Sequence, residues 1–274
     1  MDSRKVGKVV LVIANIIVGI VIILPLLYAL SLSFMPRNEI VQYPPNIFPS
    51  VPTFDNYRQA VTAAPLFRFM FNSLLVSISV MLAQIVIGSM TAYGLVFFEF
   101  KGKQVLFFLI VATMMIPGEV TIISNYLTVS GWGLNDSYLV LILPFLTSAM
   151  GIFMIRQFYL GIPKELQQAA QIDGCGSFMI WWKIVLPISK PIMASLGIYA
   201  FISTWNQYLW PLLTINDPDK RTVQVGISML QFAEGSNYGV VLAGAVIILL
   251  PSLIVFGIGQ KALVKGMTAG AVKG

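Results

Sequence analysis

Histidine is absent from the chain, and cysteine occurs once, at Cys175. The first absence removes the commonest general base at neutral pH. Together the two exclude a disulfide framework and leave a protein-built zinc site without its usual donors. Charge is scarce too: 10% of the 274 residues are charged, against about 25% in an ordinary soluble domain. The GxxxxGK[ST] phosphate cradle is missing. With no nucleophile–base pair and no metal ligands at depth, no catalytic residue and no metal site are expected. No nucleic-acid partner is expected either.

What the chain has is apolar length. Hydrophobic residues make up 57% of it. Stretches long enough to cross about 30 Å of hydrocarbon fall at 9–34, 72–98, 105–126, 138–158, 188–215 and 239–263. This predicts an all-α polytopic membrane protein with six transmembrane helices. The first run follows Arg4, Lys5 and Lys8 and lacks a small-residue cleavage site. It also exceeds the about 7–15 residues of a signal-peptide core, so it reads as a retained span. With the N-terminus inside, Arg37, Arg58, Arg68, Lys220 and Arg221 lie in outer segments, and the other lysines and arginines lie in inner ones. The positive-inside rule therefore puts both termini and residues 162–191 in the cytoplasm of a cell-membrane protein. The expected parts are 1–71 (first span and a proline-rich outer loop), 72–263 (core, with a cytoplasmic loop at 159–187) and the tail 264–274.

Residues 162–191, IPKELQQAAQIDGCGSFMIWWKIVLPISKP, are neither lipid-facing helix nor loose loop. Pro163 suits a helix's first turn, and Glu165 there complements the positive end of the helix dipole. Leu166, Ala169, Ala170 and Asp173 share one face by spacing. Gly174 can take the left-handed conformation that ends a helix. Ser177 is expected to cap a second helix, 178–185, that Pro187 stops.

Ala169-Ala170, then Asp173-Gly174, nine residues, then Ile184, Leu186 and Pro187 resemble the EAA loop of membrane subunits of binding-protein-dependent ABC importers. Gln168 stands where that motif usually carries Glu, and Glu165 supplies a charge one turn earlier. The resemblance implies a type I ABC importer permease whose short helix is a coupling helix seated in an ATP-hydrolysing subunit. The implied ATPase-coupling residues are Glu165, Gln168, Ala169, Ala170, Asp173, Gly174, Leu186 and Pro187. It also implies a second homologous permease in a heterodimer, two ATP-binding subunits and an extracellular solute-binding protein. ATP and Mg would belong to the ATPase partners, and no cofactor to this chain.

Polar residues inside the spans mark a candidate solute pathway. In the second span, Asn72, Ser73, Ser77, Gln84 and Ser89 read mostly as helix packing. Pro117-Gly118 predicts a kink in the third, and Pro144 a bend in the fourth. Glu119 is the acid set deepest in an apolar span, where an ionisable group suggests function; a hydrogen-bonded structural Glu is the alternative. In the fifth span, Tyr199, Ser203, Asn206 and Trp210 recur at helical spacing, with Gln207 beside them. Amides and rings suit a hydroxyl-rich solute, whereas an interfacial aromatic belt would claim Trp210. The pathway candidates are Glu119, Tyr199, Ser203, Asn206 and Gln207. The outer loop 35–65 carries Pro36, Pro44, Pro45, Pro49 and Pro52 and reads as a spacer. The loop 216–238 is charged with an amphipathic middle; in the family this region faces the binding protein.

Within the family the chain is similar to the carbohydrate-uptake branch, maltose-type second permeases. The runs WNQYLWPLLTINDPDKRTVQVGISML and MMIPGEVTIISNY resemble the glycerol-3-phosphate type. That implies sn-glycerol-3-phosphate or a glycerophosphodiester as solute. Yet no Lys or Arg lies deep in a span to meet a phosphate of about −1.5 to −2 charge, so a neutral oligosaccharide stands beside it. An ion-gradient-driven transporter is the other alternative; it would need coupling acids, of which only Glu119 qualifies.

Overall fold

The computed structural model describes residues 3–234 and 237–268 and contains no strand among them. The expected tail therefore lies outside the described residues from 269 onward. Three helices are long and apolar enough to cross a membrane unbroken: Val10–Ser33 within α1 (Ser3–Ser33), α4 (Leu66–Phe97), and Tyr238–Gln260 within the last helix, Tyr238–Thr268. Three more spans are bent pairs. Six spans result if each pair counts as one, in agreement with the six apolar stretches.

The outer loop after α1 is not wholly a spacer. It forms α2 (Arg37–Ile40) and α3 (Asp55–Ala63), and stays irregular only between them, where the prolines cluster. Proline has no N–H to continue a helical ladder, so backbone order stops at 41 and resumes at 55.

The third span breaks as Pro117-Gly118 predicts. α5 (Lys103–Ala112) ends in a 3-10 turn, Thr113–Met115, and meets α6 (Gly118–Gly131) at 99°. Ile116, ahead of the proline, is extended, as the proline ring requires of its predecessor. In the fourth, α7 (Tyr138–Ile142) and the turn Leu143–Phe145 with Pro144 meet α8 (Ala149–Tyr159) at 43°. Ser148 starts α8 afresh: its hydroxyl accepts from the Gly151 N–H.

The helices of the loop 159–187 follow: α9 (Lys164–Ile172), α10 (Ser177–Ile180), a π turn at Trp181–Val185 and α11 (Leu186–Ile188). Ser177–Ile188 meets α12 (Lys190–Trp205) at 80°. The fifth span is thus shifted from the expected 188–215. It stops at Trp205 because Pro211, in α13 (Leu209–Thr214), would drive its ring into the carbonyl of residue 207 in a continuous helix. The 3-10 turn Pro218–Lys220, α14 (Val223–Ala233) and α15 (Tyr238–Thr268) complete the order.

The backbone divides into two compact units, Met1–Phe67 with Gly226–Leu250, and Arg68–Val225 with Pro251–Gly274. In the first, the buried Asn56 amide donates to the carbonyls of Ser33 and Met35, at 3.0 and 2.7 Å. That pair of bonds ties α3 to the end of α1. The second unit has two apolar clusters on α4. One gathers Tyr93, Val96, Tyr159, Trp181 and Leu196, the other Val76, Val80, Val140 and Trp210. At 1.5 Å per residue the two lie about 25 Å apart along the helix.

Candidate functional site

The first feature is a short helix held by a complete turn. Pro163 sits at the N-cap of α9, one residue before the first turn where it was expected, and Glu165 occupies that turn. At the other end Gly174 adopts φ +79°. The Gly174 N–H donates to Gln171 O at 3.0 Å and the Cys175 N–H to Ala170 O at 2.9 Å. This is the paired closure that a left-handed residue permits at a helix end. Ala170 is buried against Ile162, Ile180 and Trp181, and Leu186 packs at the edge of the same cluster. Glu165, Gln168, Ala169, Asp173, Gly174 and Pro187 face outward, as does Ile172 at 87% exposure. The predicted face is therefore split: Ala170 anchors the helix, and its neighbours are exposed.

Two expectations for the second half are corrected. Gly176, not Ser177, occupies the cap position of α10, and no side chain caps it. Pro187 does not stop the helix, which runs on to Ile188. The π turn is the reason. It widens the helix ahead of Pro187, with Leu186 N–H donating to Trp181 O, so the ring avoids the carbonyl one turn back.

The second feature is a groove of about 220 Å³ in the Arg68–Val225 unit. Tyr199, Ser203 and Gln207 line it, with Gln84 from α4 and Phe145, Thr147 and Ser148 from the fourth-span break. No Lys or Arg belongs to its lining. Gln84 Nε2 donates to Phe145 O at 3.0 Å, which fixes the amide's orientation because a carbonyl only accepts. Gln84 Oε1 then has no partner, in a residue only 9% exposed. A buried acceptor without a donor costs about 1–3 kcal/mol, so this atom favours a ligand that brings an O–H.

Two pathway candidates do not line the groove. Asn206 is exposed at the end of α12, where its Oδ1 accepts from Gln224 Nε2 at 3.2 Å. Glu119 is exposed in the first turn of α6, with no ion pair to it among the described residues. Trp210 is no belt residue. It is buried, and its Nε1 donates to Val140 O at 2.9 Å, because the chain break at 206–208 turns α13 away from the Tyr199–Ser203 face. Thr147 and Ser148 went unrecognised in the sequence. Their signal is faint: two hydroxyls just after Pro144, where a broken span leaves side chains free to face a cavity.

The third feature is a clamp between 136 and 223. Asp136, at φ +57°, accepts from the N–H groups of Asn216 and Asp217. Asn72 Nδ2 donates to Asp219 O and Arg221 O, and Tyr138 donates to Asn72 Oδ1. The Val223 N–H reaches Ser73 Oγ at 2.9 Å. The Asp217 and Asn216 N–H bonds hold the Asp136 carboxyl below the ordinary carboxylate range. The Lys220 ammonium and the Asp219 N–H do the same for Asp217. Both groups thus stabilise the fold above the ordinary carboxylate range, and that contribution is lost as pH falls through their depressed values. The melting temperature of purified protein is expected to fall as pH drops below about 4. Asp136→Asn is expected to lower it at pH 7 and flatten that acid limb; an unchanged limb would mean another carboxylate controls it.

The sequence pattern described as "Binding-protein-dependent transport system inner membrane component" matches residues 84–268. The chain is 33% identical to arabinooligosaccharides transport system permease protein AraQ of Bacillus subtilis (strain 168), covering 98% of this chain and 97% of that one. It is 36% identical to sn-glycerol-3-phosphate transport system permease protein UgpE of Rhizobium meliloti (strain 1021), covering 97% and 96%. Among solved structures, a chain from a bacterial ABC transporter involved in the import of the acidic polysaccharide alginate superposes with a TM-score of 0.85. The match covers 95% of this chain and 98% of that chain at 23% identity, so it supports the fold alone.

Proposed function

The chain belongs to the binding-protein-dependent transport system inner membrane component family, and we propose that it carries a neutral, hydroxyl-rich sugar. Membership makes it a multi-pass sugar-importer permease of the ABC class, not an enzyme and not an ion-gradient-driven carrier. The solute reading rests on one observation. Gln84, which lines the groove, carries an unpaired buried acceptor, Oε1, and the lining holds no cation. Hydroxyls of a sugar and of a glycerol moiety both donate to such an atom, so it is the lining without Lys or Arg that favours an uncharged solute over a phosphate ester. The glycerol-3-phosphate reading is favoured by the UgpE relatives and needs its counter-charge from outside this groove.

At about 220 Å³ the groove is smaller than the roughly 300 Å³ at which ligand pockets begin. A second, homologous permease completes it across their interface. Two ATP-binding subunits hold Mg and ATP and hydrolyse it in the cytoplasm. One of them receives α9, through Glu165, Leu166, Gln168, Ala169 and Asp173. Closure of the ATPase pair moves α9 with α10 as one piece, because Ala170 and the Gly174 turn lock the two together. The spans then open outward, where the extracellular binding protein delivers solute. Both termini lie in the cytoplasm in this scheme.

The test is ATPase stimulation of the reconstituted complex by binding proteins loaded from a panel of neutral oligosaccharides, glycerol-3-phosphate and glycerophosphodiesters. Neutral sugars alone are expected to stimulate. Gln84→Leu is expected to weaken the apparent affinity for the stimulating sugar about tenfold, within the cost of an unmade buried hydrogen bond. Stimulation by glycerophosphates alone would overturn the neutral reading and leave the importer intact.

A further inference from the structure

The segment at 41–54, between α2 and α3, combines two properties that rarely coexist. Its backbone is irregular, and its side chains are apolar and exposed. Tyr43 is 94% and Phe48 75% exposed, and Ile47, Val51 and Phe54 are also largely bare. A water-facing loop has no reason to display such a set, since exposed apolar patches mark contact surfaces.

The segment is also held at a definite level. Ser31 Oγ donates to Ile47 O at 2.6 Å, and the Thr53 N–H donates to Phe34 O at 2.9 Å. Phe34 packs edge-on against Phe54, with ring centroids 5.3 Å apart. Ser31 lies in the last turn of the apolar run Val10–Ser33, about 3 Å along the axis from its end. The loop is therefore folded back beside the end of a span whose own surface is bare from Val10 to Leu27. The exposed aromatics continue that bare apolar surface.

The backbone chemistry sets how deep such a loop can go. Irregular backbone facing lipid does not occur within hydrocarbon, where unmet N–H and C=O groups are too costly. Here Pro44, Pro45, Pro49 and Pro52 carry no N–H at all. The Ser50 N–H is met by the Glu39 carboxylate at 3.0 Å. The N–H groups at 43, 46, 47, 48, 51 and 54 still need water or headgroup partners, which suits the headgroup region rather than the hydrocarbon, and tyrosine is favoured there.

We propose that 41–54 is an interfacial membrane anchor, with Tyr43, Ile47, Phe48 and Val51 seated in the headgroup–acyl boundary of the leaflet at the C-terminal end of α1. Its occupant is the phospholipid bilayer. The anchor fixes the depth of α1 and of α3, which Asn56 joins to it, independently of which solute is carried.

Spin-label depth measurement tests this directly. Cys175→Ser removes the sole thiol, and Tyr43→Cys and Phe48→Cys each supply one label site. The labelled permease is assembled with its partner subunits in phospholipid vesicles, and assembly is confirmed by its ATPase activity. Collision with oxygen and with a water-soluble nickel chelate is calibrated against lipids labelled at known carbons. Labels at 43 and 48 are expected to read about 5–10 Å into the headgroup–acyl boundary. Free access of the chelate would overturn the proposal in favour of a solvated loop. Exclusion of both relaxants would overturn it in favour of cover by a protein partner.

Discussion

A Gly174→Pro permease is expected to assemble but lose solute uptake by at least about tenfold, the equivalent of about 1.4 kcal/mol in the coupling step. Gly174 stands at φ +79°, and proline is confined near −65°. The substitution also removes the N–H that donates to Gln171 O, and the displaced backbone pulls the Cys175 N–H from Ala170 O. Both bonds that close α9 onto α10 then fail together. The docking helix stays amphipathic, but it no longer moves as one piece with the spans behind it. Basal ATP hydrolysis is expected to persist while its stimulation by loaded binding protein disappears. Gly174→Ala is expected to be milder, since one left-handed residue with a Cβ costs about 1–2 kcal/mol. Uptake per assembled complex in vesicles, measured alongside ATP turnover, decides it. Uptake within roughly twofold of the parent for the proline variant, a difference of only about 0.4 kcal/mol, would mean that α9 does not transmit the stroke.

The second large effect is expected where α12 and α15 cross. A Cβ placed on Gly259 would lie 2.0 Å from Cδ1 and 2.6 Å from Cγ1 of the buried Ile198. Small residues let membrane helices approach this closely, and nothing larger fits without displacing the neighbour. Gly259→Val is expected to destabilise by about 1–3 kcal/mol, the usual cost of overpacking. Ile198→Ala alone is expected to cost about 2–5 kcal/mol through the space it leaves. The double variant is expected to be more stable than the two losses added together, because the new valine fills part of that space. Thermal melts of the four purified forms measure this coupling. Strict additivity would show that the helices do not meet at these two residues.

The two test sites differ in how visible they are from the sequence. Gly174 is legible because a turn-forming glycine after an amphipathic run is a local signal, and the run and the turn are adjacent in the chain. Gly259 is one glycine among several in an apolar helix. Only its approach to Ile198, sixty-one residues away in sequence, makes it special.

The same division runs through the groove at the fourth-span break. Tyr199, Ser203 and Gln207 stood out as polar residues in an apolar stretch, and they do line it. Asn206 stood out equally, yet it faces away because the helix ends beneath it. Trp210 falls on the same face only if the helical period is counted across the break at 206–208, which Pro211 imposes. Gln84 was classed with helix-packing residues. It does pack, through Phe145 O, and the same residue lines the groove. One side chain can serve both purposes, and composition cannot separate them.

Alone, the sequence determined the class of this protein: six apolar stretches, breaks at Pro117 and Pro144, and a short amphipathic helix ended by Gly174. Each of these follows from hydrophobic length or from the backbone freedom of a single residue, which are local properties. Tertiary structure decided the rest. It turned Ala170 inward and its neighbours outward, passed the helix across Pro187 through a π turn, buried Trp210, and left Gln84 Oε1 unpaired. Those outcomes depend on which distant atoms arrive beside a side chain, and periodicity along one chain carries no record of that.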